Sequence, residues 1–432
     1  MEMETKKQSA FFYGWVIVVV AIITSMLVYG VRYSFSIFFP EILSEFGWSR
    51  GSTALMMSIN VFVYGLMAPI AGALSSTRNP KMLMPIGVAI LALALIGCSI
   101  ARELWHFYLF YGVMVPVGTA LCGWPIISPA LMNWFYTRRG LIMGFGQAGS
   151  GLSFAYGLLT QYLILHLGWR LAYVALAAIL VTILLPLHRF VFHHHPASMG
   201  LKAYGSGDVK PGTGVGTRVP PRDWTVPEML RTYHLWLLIF YFFLFWGIAC
   251  FLVLAHQIKY AEDAGYTSVF AVSVFALFGV SMFLGQVSGV ISDRIGREKA
   301  MAASSAAALL GLLALIAVRD TSQPWLLYVY AIMFGFGAGL STAILFAGAA
   351  DIFRGKHFGT ASGMLLTGMG TGGAIGPWLG GYLYDITGSY DFAFSLCMAS
   401  IVLASACYWF AAPRNAGRLR ARRLDSHVGG FP

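Results

Sequence analysis

The sequence predicts an all-α membrane protein, with twelve transmembrane helices in two pseudo-symmetric six-helix halves. Three observations carry that expectation. Apolar residues are 58% of the 432 and charged ones only 10%, with a mean hydropathy of +0.73, values that suit neither a soluble domain nor a disordered chain. Runs of about twenty apolar residues, the length that crosses a bilayer, occur twelve times. The only long polar connection, residues 193–232, falls between the sixth run and the seventh.

In chain order, the first half (1–192) holds spans near 12–39, 52–74, 83–101, 107–133, 140–165 and 170–191. The first run continues past any short apolar core into a polar stripe, so it reads as a span and not as a cleaved signal. Segment 193–232 is rich in Gly and Pro and ends in Trp224 to Arg231, which suits a short amphipathic helix at the membrane surface. The second half (233–413) holds spans near 233–257, 268–291, 300–318, 324–350, 358–384 and 391–412, and a basic tail (414–432) follows that would lie against anionic lipid. The halves echo each other. Gly144, Gly149, Gly151 and Gly157 recur 219 residues later as Gly363, Gly368, Gly370 and Gly376, and Gly72 and Ser75 recur 217 later as Gly289 and Ser292.

An even number of spans puts both termini on one side. With the amino terminus inside, 22 of the 28 Lys and Arg residues lie in cytoplasmic segments and five in outer loops, which predicts a multi-pass inner (plasma) membrane protein with both termini cytoplasmic. The net charge of +11 is thereby explained by orientation, and nucleic acid is not an expected partner. The five cysteines lie inside apolar runs without paired or metal-ligand spacing, so neither disulfides nor a metal site is expected. His193 to His195 read as a solvated flank.

The remaining basic residue is Arg32, deep in the first span. A charge there costs at least about 2.5 kcal/mol on insertion scales, so such residues normally face a cavity and have a function. Tyr29, Arg32, Tyr33 and Ser36 share one helical face. No Asp or Glu lies deep in any span to neutralise the guanidinium, which points to a clamp for an anion; the competing reading is an arginine reaching out to the headgroups. Further candidates for a cavity lining are Asn60, Trp124, Gln147, Trp246, His256 and Gln286, polar or amphipathic side chains within spans that serve equally to join helices. Gly123, Trp124 and Pro125 mark a bend. His256 is a side chain able to carry a proton near neutrality, although its place at the end of the seventh span suits a solvated histidine equally well.

Trp134 to Gly151, WFYTRRGLIMGFGQAGSG, resembles the fifth-helix signature of monocarboxylate porters in the major facilitator superfamily, with Arg138, Arg139, Gly144, Ala148, Gly149 and Ser150 matching. Gly289 to Lys299, GVISDRIGREK, is similar to the superfamily's loop motif after the eighth helix. The resemblance implies a gating latch in which Asp293 accepts from a helix start of the other half and pairs with an arginine such as Arg297, beside Arg294. In the first-half copy, GALSSTRNPK, Ser76 replaces the acid, which implies a weaker latch. FGTASG at Phe358 and GPWLGG at Gly376 extend the resemblance, and the nearest group is the bacterial monocarboxylate and oxalate/formate porters. One departure is that Gly285 stands where that group usually has an arginine, and the eleventh span has no interior lysine. Arg32 is then the remaining anion clamp.

The expected function is secondary active transport of small organic anions, monocarboxylates foremost, by alternating access of two halves in the major facilitator fold, with a proton as co-substrate, no cofactor and a monomeric carrier. Alternatives are an anion exchanger of the oxalate/formate type and a carrier-fold sensor without transport. An enzyme would need clustered His, Asp, Glu or Cys at one membrane depth, and the sequence has no such set.

Overall fold

The computed structural model describes residues 12–77, 80–135, 139–205, 224–353 and 358–411. Among them the chain is helical throughout, apart from connections and one isolated bridge between Phe135 and Tyr204. Inside a bilayer every backbone N–H and C=O must be paired within the protein, and helices do so locally.

Among the described residues, ten helices are long and apolar enough to cross a membrane. One of them, Phe145–Val191, is 47 residues long, and Gly168 breaks it with φ +75° and ψ 159°. It is therefore two spans, and with Phe358–Thr387 the count is twelve. In chain order these are α1 (Gly14–Phe46), α2 (Arg50–Thr77), α3 (Pro80–Ser99), α4 (Leu104–Trp134), α5 (139–167) and α6 (169–191). The second six are α7 (Tyr233–Asp263), α8 (Ser268–Val290), α9 (Arg297–Ala317), α10 (Trp325–Ile352), α11 (Phe358–Thr387) and α12 (Asp391–Ala411). A short helix, Val226–Leu230, precedes α7 and is started by a capping box between Thr225 and Glu228.

Two spans run further than hydropathy suggests. α1 continues beyond residue 39 through Pro40 and the polar Glu41, Ser44 and Glu45 until Gly47, at φ +64°, ends it. α7 likewise continues to Asp263. Polar residues at a helix end lower the local hydropathy without stopping the helix. α4 bends where Gly123 leaves helical geometry (φ −98°, ψ −147°) just before Trp124 and Pro125. A π-helical stretch, Phe243–Cys250, interrupts α7 at mid-span.

The halves meet along α2 against α11, α5 against α8, and α1 against α7. Gly65 and Gly370 face each other closely in the first pair, since a Cβ on either would come within 2.9 Å of the other's Cα. Gly151, which corresponds to Gly370 in the repeat, packs as closely on Phe283 of α8. Small residues of this kind let two backbones approach where lipid supplies no hydrophobic force between helices. Two turns further along, at Gly72 and Gly363, a Cβ would meet nothing within 4 Å. α2 and α11 have parted there.

Candidate functional site

Arg32 lies on the last turn of the first segment of α1 and is 1% exposed. It therefore points into the protein, neither to lipid nor to bulk water. Its Nε donates to Oδ1 of Asn60 on α2 at 2.8 Å, and Asn60 in turn donates through Nδ2 to the Tyr111 carbonyl at 2.8 Å. Tyr111 closes the ring by donating to the carbonyl of Arg32. The guanidinium carbon sits 4.2 Å from the centre of the Tyr64 ring and 5.7 Å from that of Phe251 on α7. A cation over an aromatic face gains about 0.5–2 kcal/mol, more where water is excluded. None of these partners carries a charge. Nη2 is buried without any hydrogen-bond partner, and among the described residues no carboxylate pairs with the group. An arginine held by neutral neighbours, with a donor left over, keeps its charge uncancelled and can make one more hydrogen bond to an acceptor.

Four of the other expected lining residues gather near it. Tyr29 hydrogen-bonds the Tyr64 hydroxyl at 2.8 Å and stacks on Tyr33, which stacks on Phe154 of α5. Trp246, in the π-helical part of α7, lies edge-on to Phe251, and its buried Nε1 has no partner. The site thus draws Arg32, Tyr29, Tyr33, Asn60 and Tyr64 from the first half and Phe251 and Trp246 from the second. Gln286 instead joins the halves, donating to Ser150 Oγ at 3.3 Å while its Oε1 stays unpartnered. Trp124 packs near Gly146 of α5, and Gln147 is half-buried on the same helix. His256 corrects the solvated reading, because it is fully buried. α7 extends two further turns beyond it, so it lies inside the protein and contacts α1, α11 and Tyr390 just before α12.

One end of the molecule is closed by a cluster around Arg50, the first residue of α2. Its Nη1 pairs with Asp263 of α7 at 2.5 Å and donates to the Tyr390 hydroxyl at 3.0 Å, with the Tyr384 ring 3.7 Å away. Asp385 at the end of α11 accepts from the backbone N–H groups of Arg50 and Gly51 at 3.0 and 2.8 Å, capping the start of α2. Ser36 on α1 also donates across the halves to the Leu254 carbonyl. At the other end, Arg297 pairs with Asp351 of α10 at 3.0 Å and donates to Ser292, contacts within the second half. Arg294 is exposed. Arg138 and the side chains of Ser76, Arg139 and Asp293 lie outside the described residues.

Sequence reasoning missed Tyr64, Tyr111, Phe251 and the Arg50 cluster. Tyr64 had a signal, since it follows Asn60 by one helical turn. The partners of Arg50 are separated from it by more than two hundred residues and gave none.

The family model described as the Major Facilitator Superfamily matches residues 21–347 and 283–426. Monocarboxylate transporter 13 of Rattus norvegicus is 28% identical over 398 residues, covering 91% of this chain and 87% of its own. Monocarboxylate transporter 12 of Homo sapiens is 26% identical over 437 residues, covering 96% and 83%. Among solved structures, a bacterial homolog of the human lysosomal transporter Spinster, in an inward-facing and occupied conformation, superposes with a TM-score of 0.67 at 16% identity, over 94% of this chain and 98% of that one.

Proposed function

The chain belongs to the major facilitator superfamily, and from that premise we propose that it is a secondary active transporter of small organic anions, with monocarboxylates as the favoured class and a proton moving alongside. The observation that carries the proposal is the buried Arg32 guanidinium, surrounded by neutral groups and with Nη2 unpartnered. A monoanion there supplies the missing acceptor and cancels the charge, whereas a dicarboxylate brings a second charge for which, among the described residues, no second buried Lys or Arg is at hand. The aromatic rings of Tyr29, Tyr33, Tyr64, Phe251 and Trp246 suit the apolar part of such a molecule.

The distribution of basic residues favours the Arg50 cluster outside and the open space beside Gly72 and Gly363 inside. On that reading the arrangement is closed outward and open inward, one of the two states that alternating access requires, in an inner-membrane protein with both termini cytoplasmic. The carrier works as a monomer, its site being complete within one chain.

The test is uptake and counterflow of labelled lactate, pyruvate, formate and oxalate in proteoliposomes, with and without a pH gradient. At least one monocarboxylate is expected to be taken up faster with acid outside. Arg32→Ala is expected to reduce that uptake at least about tenfold, the minimum for losing a charge-assisted hydrogen bond of about 1.5–3 kcal/mol. Undiminished uptake by Arg32→Ala would overturn the reading, and exchange that needs an anion on both sides would replace co-transport with antiport.

A further inference from the structure

Resting on the orientation read above, we propose that His256 is a proton-operated latch on this end, over which the Arg50 cluster closes only while the imidazole is neutral. The geometry fixes the imidazole's state when this end is closed. Nε2 lies 2.8 Å from the Pro377 carbonyl, which can only accept, so Nε2 carries a hydrogen. Nδ1 lies 3.0 Å from the Tyr390 hydroxyl. That hydroxyl already accepts from Arg50 Nη1 at 3.0 Å. Its own hydrogen is therefore free to point at Nδ1, and a neutral imidazole completes an ordered chain from Arg50 through Tyr390 and His256 to Pro377. Every member is satisfied, and the chain crosses from the first half to the second.

A second proton on the ring breaks this order. It occupies the Nδ1 lone pair and turns Nδ1 into a donor, so the Tyr390 oxygen faces two cationic donors while its own hydrogen loses its acceptor. Buried polar networks left half-satisfied are costly, and like charges sharing one site add to the cost. The surroundings do not remove the conflict. Facing this region are Arg50 on α2, Asp385 on α11, Tyr390 just before α12, and Lys259, Glu262 and Asp263 on α7 itself, while α1 contributes the neutral Phe39 ring against the imidazole and, nearer its end, Glu41. Asp263 and Asp385 are already committed to Arg50 and the start of α2.

The closed end consequently accepts only neutral His256. When this end opens, Nδ1 meets outer water and takes a proton from it. Before it can shut, that proton returns to the outer water, and the Tyr390 hydroxyl reclaims Nδ1. Acid outside therefore holds the outer end open for loading, and a neutral or alkaline exterior lets it close.

The experiment measures the opening of this end by itself, without a solute, so it is separable from the anion reading. Spin labels at Ser44→Cys on α1 and Gln323→Cys between α9 and α10, both exposed positions, report the separation of the halves. The five native cysteines are free and buried, which leaves the added thiols to react. In proteoliposomes titrated from pH 8 to pH 5, the open-to-closed ratio is expected to rise by up to about tenfold per pH unit, the limit for one coupled proton. His256→Gln and Tyr390→Phe are expected to abolish the pH response, while Glu262→Gln and Arg32→Ala keep it. A response that survives in both His256→Gln and Tyr390→Phe, one that Glu262→Gln removes, or a wild type indifferent to pH overturns the proposal. The anion reading stands or falls separately on uptake by Arg32→Ala.

Discussion

The role proposed for Arg32 depends on what surrounds it more than on its own charge. Asn60 holds Nε and leaves Nη2 over, so the sign of the site depends on that partner being neutral. Asn60→Asp keeps the shape but places a carboxylate at the guanidinium. The expected outcome is uptake reduced at least as far as in Arg32→Ala, with the melting temperature of the purified protein not raised, since the new buried pair is offset by a carboxylate oxygen that faces the Tyr111 carbonyl with no hydrogen to donate. Uptake assays beside thermal unfolding in detergent check both halves of that expectation. The arginine itself was legible in the sequence, because a charge stands out in an apolar run. The Arg50 cluster was not, because an arginine and two aspartates at helix ends look like ordinary loop residues until the fold brings them together.

Among the elements, α2 and α11 pack tightly across the halves, and one point of that contact is two glycines facing each other. Gly65→Leu would place a branched side chain where 2.9 Å is available for a Cβ, and neither backbone can yield as a flexible side chain would. The expected result is a loss of about 1–3 kcal/mol of stability, typical of overpacking, read as a lower melting temperature together with weaker protection of the outer end. The spans themselves were readable, since hydropathy records which twenty-residue stretches the bilayer accepts. Their ends were less so. α1 and α7 run on through Glu45 and Asp263 because backbone hydrogen bonding, and not side-chain polarity, decides where a helix stops. The break at Gly168 belongs to the same class, since its positive φ, unlike the glycine itself, is a property of the folded turn.

At the scale of the whole molecule, the six-plus-six repeat was visible in glycines at a constant offset, and the structure gives that offset a meaning. Gly151 and Gly370, partners in the repeat, each press against the opposite half. How the two halves sit against each other was beyond the sequence, because a repeat states that the bundles are alike and not how far they have turned. Here they are shut around Arg50 and apart at Gly72 and Gly363. Those last two glycines stand two helical turns from Gly65 and Gly370 on the same faces, so α2 and α11 cross like scissor blades with the pivot at the tight pair. A scissor can be jammed by something small set between its blades. Gly363→Trp fills space that is vacant now, so the melting temperature should hold. The blades could then no longer come together, and counterflow should cease although solute still binds from the inner face by calorimetry. A doorstop of that kind would leave the molecule fixed in a single pose, with its central guanidinium reachable from one compartment alone.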